Sequence, residues 1–367
     1  MLQLSRRRLL LRLTALFGGA SLGEALLARR SNSPAGLQAP EPAAALTQAP
    51  APLLSPTFAV VALPPKPDII RFHPDGPSTV VQARHSGVWQ GEDLSPAALR
   101  QMLYASITAL AGLTSARAAW AALFRPGERI AVKVNAFSTS LVWTHAPLAT
   151  ALTDSLQDAG VPAEQIFVYD HLTSELEKAG FAVNKDGPGV RCRGAKTHIA
   201  GWKFGSADVR LNDVLLGCDA LINVPILKTH GMAGISFALK NHYGSVDPLR
   251  LLHGDKFDPT ITQINALPPI RDRSRLIIGD VLGICLQQEE SWPFWRQAER
   301  GDAILMSYDP VAVDAVALRL FCDAQASRGA DTRWAEGKAK SWLKLTAELG
   351  LGTDDETHMR LLKLDLA

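Results

Sequence analysis

The sequence predicts an α/β protein: a mostly parallel sheet flanked by helices, with a ligand pocket at the carboxyl ends of the strands. Three observations predict it. Short apolar runs alternate with helix-period segments from residue 79 onward, the rhythm of strand, helix, strand. A polar, chemically competent residue follows most of those runs. Of the 367 residues, 47% are apolar and 20% charged, which is the balance of an ordinary globular chain.

Residues 1–30 read as an export signal. Ser5-Arg6-Arg7-Arg8-Leu9-Leu10 precedes an apolar stretch, Leu13 to Gly23, and then small residues ending at Ala28. That is the order of charged, apolar and cleavable regions in bacterial export signals, and it resembles the twin-arginine pattern. The twin-arginine translocase is therefore the expected partner during export. Gly18, Gly19 and Gly23 break the stretch too early for it to cross ~30 Å of hydrocarbon, so no stable membrane span is expected after signal cleavage. The expected location is periplasmic, or extracytoplasmic and anchored where the signal is retained. Residues 31–57 hold six prolines, seven alanines and the single charge Glu41, a tether without a periodic apolar face.

Residues 58–367 then form a single α/β domain. The formal charge of +2 comes from six arginines against one glutamate in the leader, and the body is slightly acidic. Nucleic-acid binders concentrate Lys and Arg in the folded part, so a nucleic-acid partner is excluded. Cys192, Cys218, Cys285 and Cys322 stand far apart without a CxxC. They form no iron–sulfur motif, and each sits beside an apolar run, so free buried thiols are expected.

The strands are placed at Thr79–Ala83, Arg129–Val134, Gln165–Tyr169, Ala220–Val224, Arg275–Gly279 and Ala303–Ser307. Ser95-Pro96 opens one helix and Asp309-Pro310 another, each a capping side chain followed by proline at the first helical position. Leu148, Leu152 and Leu156 repeat at helical spacing between them. Trp334, Trp342, Leu343, Leu345 and Leu349 predict a C-terminal helical extension over 332–367, packed on the sheet. Asn135, Asp170-His171, Lys228 with His230, Asp280 and Asp309 each follow a strand, and ligands of open α/β sheets bind at such ends.

The segment from Pro225 to Asp255 is densest in chemistry, with three of the nine histidines, His230, His242 and His253. Gly231 and Gly234 allow a backbone to approach a ligand, and a short helix beginning near Gly234 would aim its N–H groups at an anion. Lys228 and Lys240 add positive charge, so a carboxylate or phosphate is the natural occupant. No GxxxxGK[ST] and no GxGxxG is present, which withholds a nucleotide assignment. Two readings of the histidines stand side by side. One gathers His230, His242 and His253 with Asp280 or Asp170 around a transition metal, against which the neighbouring lysines argue. The other makes His230 or His242 an acid/base, with Lys228 holding an oxyanion.

With these residues in place, the chain resembles the family catalogued as domain of unknown function 362, over roughly Val80 to Phe321. The resemblance rests on Lys133-Val-Asn135, on Pro225-Ile-Leu-Lys228-Thr-His230, on Ala238-Leu-Lys240-Asn241-x-x-Gly244, on a following His253, on Asp280, and on Asp309-Pro-Val-Ala-x-Asp314. It implies the domain and adds Asp314 to the ligand-binding set. Some members carry a ferredoxin-like segment of clustered cysteines, and this sequence has none.

The expected site therefore comprises Lys228, His230 and His242 as catalytic groups. Lys133, Asn135, Gly231, Gly234, Lys240, Asn241, Asp280 and Asp314 are the expected ligand-binding groups. The expected function is an exported enzyme acting on a small anionic ligand by proton or hydride transfer next to a carbonyl. The alternatives are a periplasmic anion-binding or sensing module and an accessory subunit of an exported redox complex. The cofactor is left open.

Overall fold

Strand-forming runs and capped helices fold in the computed structural model of this protein, which describes residues 77–136, 142–204, 207–248, 257–286 and 299–367. These residues belong to one unit, Phe58–Ala367; the leader and tether lie outside them.

Strand β1 (Ser78–His85) leads through a hairpin, β2 (Trp89–Gln90) and β3 (Asp93–Leu94), into helices α1 (Pro96–Ala111) and α2 (Ala116–Leu123). There follow β4 (Ile130–Val134), α3 (Ala146–Asp158), β5 (Ile166–Tyr169), α4 (Thr173–Lys178) and β6 (Arg191–Arg193). An antiparallel pair, β7 (His198–Phe204) and β8 (Ala207–Asn212), precedes α5 (Asp213–Leu216), β9 (Ala220–Val224) and β10 (Ile226–His230). Then come β11 (Gly234–Ser236), the one-turn α6 (Ala238–Asn241), β12 (Val246–Asp247), α7 (Phe257–Ala266) and α8 (Pro268–Arg271). The last elements are β13 (Ser274–Cys285), β14 (Glu299–Ser307), α9 (Pro310–Ala326), α10 (Arg333–Glu348) and β15 (Met359–Leu366).

The main sheet runs β15-β1-β14-β13-β9-β4-β5-β6, with β10 and β11 attached beside β13. From β13 to β6 every neighbouring pair is parallel. Period-two alternation divides each strand between two helical layers. Ile130, Val132 and Val134 of β4 face Leu99, Met102 and Leu103 of α1 and Leu148, Leu152 and Leu156 of α3. Ala131, and Leu221 of β9, face the opposite layer, with Val313 and Val316 of α9 and Trp342 of α10. The six expected strands and the capped helices are all present. The Ser95 side chain accepts from Ala98 N–H, and that of Asp309 from Val311 and Ala312 N–H at 2.8 and 2.9 Å.

Three expectations are corrected. The helical extension stops at Glu348, and Met359–Leu366 is a strand lying parallel to β1 over eight residue pairs. Asp280 does not end its strand, because β13 continues to Cys285. Asp309 does not join the other strand-end groups. Strand β14 is antiparallel to both β1 and β13, so its carboxyl end lies at the opposite sheet edge, where Asp309 caps α9 and accepts from Ser78 and from Thr353 N–H.

Candidate functional site

At the carboxyl end of β4, alternation turns Lys133 to the α9 side and into the interior, where its side chain is 1% exposed. Its ammonium lies 2.7 Å from Asp170 Oδ1 and donates to Val134 O at 2.6 Å and Asn241 Oδ1 at 3.2 Å. Asp170, just past β5, also accepts from the backbone N–H groups of Ala136 and His171. Gly244 makes this pair sterically feasible, since a Cβ there would stand 2.2 Å from Asp170 Oδ1 and 2.8 Å from Lys133 Nζ.

Asn135 follows Lys133 and links the next two elements. Its Nδ2 donates to Asn241 Oδ1 at 3.2 Å, and its Oδ1 accepts from Lys228 Nζ at 2.8 Å. Lys228, on β10, donates as well to Val142 O at 3.1 Å. Asn241 closes the network by donating to Asn223 Oδ1 at 2.7 Å. Lys240 precedes Asn241 on α6 and lies 4.5 Å from the centre of the Tyr243 ring.

Four predicted residues, Lys133, Asn135, Lys228 and Asn241, therefore meet in direct contact, and Lys240 joins them electrostatically. Burial pushes Lys240 down to about 7, with Lys228 and Lys133 adding to the effect. Burial likewise pushes Lys228 down to about 8, partly offset by Asp170 and Cys285, while Lys133 adds to it. Lys133 is lowered by burial against the charge and hydrogen bond of Asp170.

The remaining predicted residues go elsewhere. No helix starts at Gly234, which pairs with His230 in the β10–β11 hairpin and needs φ +79°. A Cβ there would also meet the Ala335 carbonyl oxygen at 2.3 Å, so this glycine serves packing against α10. Gly231 lies exposed in the hairpin turn. The helix forms at Ala238, and its N-terminus is already occupied: Asp314 Oδ1 accepts from Ala238 N–H at 2.7 Å and Oδ2 from Leu239 N–H at 3.0 Å. Asp314, fully buried, is thus an internal counter-group to the expected anion site. His230 Nδ1 accepts from the N–H groups of Met232 and Ala233, which leaves the proton of the neutral ring on Nε2. His242 is 2% exposed, with Nδ1 unpartnered, and lines a cavity shared with Asn223, Asn265 and Tyr308. His253 lies outside the described residues. Among the described residues no group of three or more His, Cys, Asp or Glu is arranged to hold a metal ion.

Asp280, fully buried, has a partner the sequence reading missed. Its Oδ2 accepts from His145 N–H and sits 2.8 Å from His145 Nδ1. Burial opposes protonation of this ring, but the Asp280 charge and hydrogen bond outweigh it, and the His145 pKa is raised. The segment holding His145 is tied to the lysine network. Thr144 Oγ1 accepts from Asn135 N–H and donates to Val224 O, and Val142 O receives Lys228. The local signal was the position of His145 immediately before the Ala146-Pro147 helix start.

Other features fall outside this network. A groove of about 980 Å³ beside α3 is lined by Ala149, Phe181 and Val190, and none of the predicted site residues lines it. The four cysteines are buried and outside any disulfide, and burial pushes the Cys192 thiol up to about 12 despite its flanking arginines. Among the described residues no helix is long and apolar enough to cross a membrane.

The fold and this network define an α/β protein whose parallel strands deliver buried lysines and amides to one sheet edge. The chain belongs to the family described as domain of unknown function (DUF362), whose profile matches residues 130–319. No curated protein matches the sequence. Solved structures similar to it include the following two. One is a Thermotoga maritima protein from a structural genomics consortium, 13% identical, with a TM-score of 0.37, covering 71% of this chain and 60% of its own. The other is the lactate racemase apoprotein from Thermoanaerobacterium thermosaccharolyticum, 11% identical, with a TM-score of 0.38, covering 64% of this chain and 55% of its own. The chain thus spans less than two thirds of the length of either.

Proposed function

We propose that this protein is an exported enzyme that holds a small carboxylate or phosphate at Lys228 and Lys240 and moves a proton beside it through His145, while Lys133, its three N–H groups engaged by Asp170, Val134 and Asn241, anchors the network around them. One observation carries the reading: β4, β10 and α6 bring three buried lysines to one polar network, Lys133 and Lys228 joined through Asn241 and Asn135 and Lys240 next to Asn241 on its helical turn. Crowded ammonium groups are costly in a dry site, and a bound anion removes that cost.

Asp280 supports the proton-transfer half. By accepting at Nδ1 it fixes the His145 ring and leaves Nε2 to take a proton from carbon or oxygen next to the carboxylate. The electron pair left behind moves onto the adjoining oxygen, where lysine charge stabilises it. Export is supported by the order of residues 5–28 and by the tether behind them.

Calorimetric titration with a panel of small carboxylates and inorganic phosphate at pH 8 tests the first half. Saturable binding with net proton uptake is expected, because an anion raises the depressed lysine pKa values, and Lys240→Met is expected to weaken it by about tenfold or more. If no member of the panel binds saturably, the site reading is wrong. Exchange of ligand hydrogens with deuterated solvent tests the second half. Exchange lost in His145→Gln with binding retained supports the enzyme, whereas binding without exchange in the parent protein leaves an anion-binding module.

A further inference from the structure

The last strand ends the main sheet and presents an edge that complements itself. Among the described residues no strand lies beyond β15, which pairs only with β1. Leu366 O accepts from Ser86 N–H, so the backbone of Leu366 is turned toward β1. Backbone direction alternates along a strand, and the N–H and C=O groups of Leu361, Lys363 and Asp365 therefore point away from β1. Side chains alternate as well. Leu362, Leu364 and Leu366 are half-buried against the α1 layer, and the exposed Lys363 and Asp365 stand on the opposite face. Among the described residues neither makes an ion pair, because Arg84, which faces Asp365 across the β1–β15 register, gives its guanidinium to Asp302.

An outward row of main-chain donors and acceptors is a template for another strand. We propose that β15 pairs with β15 of a second copy of this chain, antiparallel about a twofold axis through Leu364, so that two sheets become one. A twofold axis normal to a sheet sets one residue opposite itself, and the choice of that residue fixes the register. With Leu364 on the axis, Lys363 of each copy lies opposite Asp365 of the other, and Leu362 lies opposite Leu366. The outward backbone groups of Lys363 and Asp365 then exchange hydrogen bonds. Centring on Lys363 or Asp365 would set like charges opposite each other, and centring on Leu361 or Leu362 would set Lys363 against Met359 or Leu361. An edge lysine ordinarily discourages strand addition, and Asp365 lifts that penalty in the Leu364 register. The match is of this strand with itself, which selects a second copy over an unrelated strand. The contact is small for a permanent dimer, so association in about the micromolar range is expected. It does not depend on the anion reading.

Sedimentation velocity of the full chain over a range of concentrations tests the proposal, and a reversible monomer–dimer equilibrium is expected. Lys363→Asp and Asp365→Lys are each expected to weaken it about tenfold or more, since like charges then meet in both symmetry-related pairs. The two exchanges together are expected to restore it. Leu364→Cys reads the register directly. Opposed Cα atoms at a pair without backbone hydrogen bonds stand ~4.5 Å apart, within disulfide reach, so oxidation is expected to join two copies there and not in Leu362→Cys. Melting curves establish that each variant folds. A monomer at every concentration overturns the proposal. A dimer that ignores both charge reversals, or that cross-links as readily through Leu362→Cys, overturns it as well.

Discussion

The ammonium of Lys133 stands 2.7 Å from Asp170 Oδ1 with both side chains 1% exposed, and the pair meets where Gly244 contributes no side chain. A fully buried ion pair is costly to assemble and costlier to break, because removal of one partner strands the other charge. Around this pair Asn241 and the Asn135 amide are held in register.

Gly244→Ala is expected to destabilise the protein by ~1–3 kcal/mol through overpacking. Asp170→Ala is expected to cost ~3–5 kcal/mol by leaving Lys133 buried without its counter-charge. Urea unfolding midpoints measure both. A midpoint unchanged in Gly244→Ala would show that the close approach is relieved without cost.

Lys240→Met is expected to stabilise the fold at pH 7 and below. The folded pKa is lowered to about 7 from an ordinary 10.5, so charging this amine opposes folding fully at low pH. The penalty is relieved as pH rises from about 7 to 10.5, because there the unfolded chain binds more protons. The difference between variant and parent should be on the order of 2–5 kcal/mol at pH 6 and vanish near pH 11. Chemical unfolding across that range measures it, and parallel pH profiles contradict it.

The His145 contribution runs in the opposite sense. Its folded pKa is raised above 6.5, so its stabilisation is complete below that value and is lost as pH rises through the folded pKa. Asp280→Asn is expected to remove this dependence, lowering stability more below pH 6.5 than above the folded pKa of His145. Melting temperature against pH, with ring titration by NMR, checks the sign.

Deletion of Met359–Ala367 is expected to produce an aggregation-prone protein. The strand pairs with β1 from Ser78↔Met359 to His85↔Leu366, and its loss bares the hydrogen-bonding edge of β1. Light scattering after refolding provides the measurement, and a monodisperse truncated chain would rule the idea out.

Much of this architecture comes from local rules that act along the chain. Apolar alternation and helix-period leucines define β4, α3 and α9, and the Ser95-Pro96 and Asp309-Pro310 caps open their helices as local chemistry requires. Lys133, Asn135 and Lys228 were legible because parallel strands deliver the residues at their carboxyl ends to one edge of the sheet, and Asn241 because it stands in the lysine-and-histidine-rich segment that follows. Strand direction was not legible, since an apolar run carries no sign of which way it enters a sheet. That is why Asp309 falls at the far edge, whereas Met359–Leu366 is a strand because β1 offers it an edge to pair with over eight residues. The partners of Asp280, Asp314 and Gly244 were hidden for a related reason. His145 precedes Asp280 by 135 residues, and Asp314 lies 76 residues beyond the Ala238 N–H it receives. Residue types and their periodicity are local properties fixed by backbone geometry, whereas the pairing of one buried charge with another is decided only when packing brings distant segments within hydrogen-bond reach.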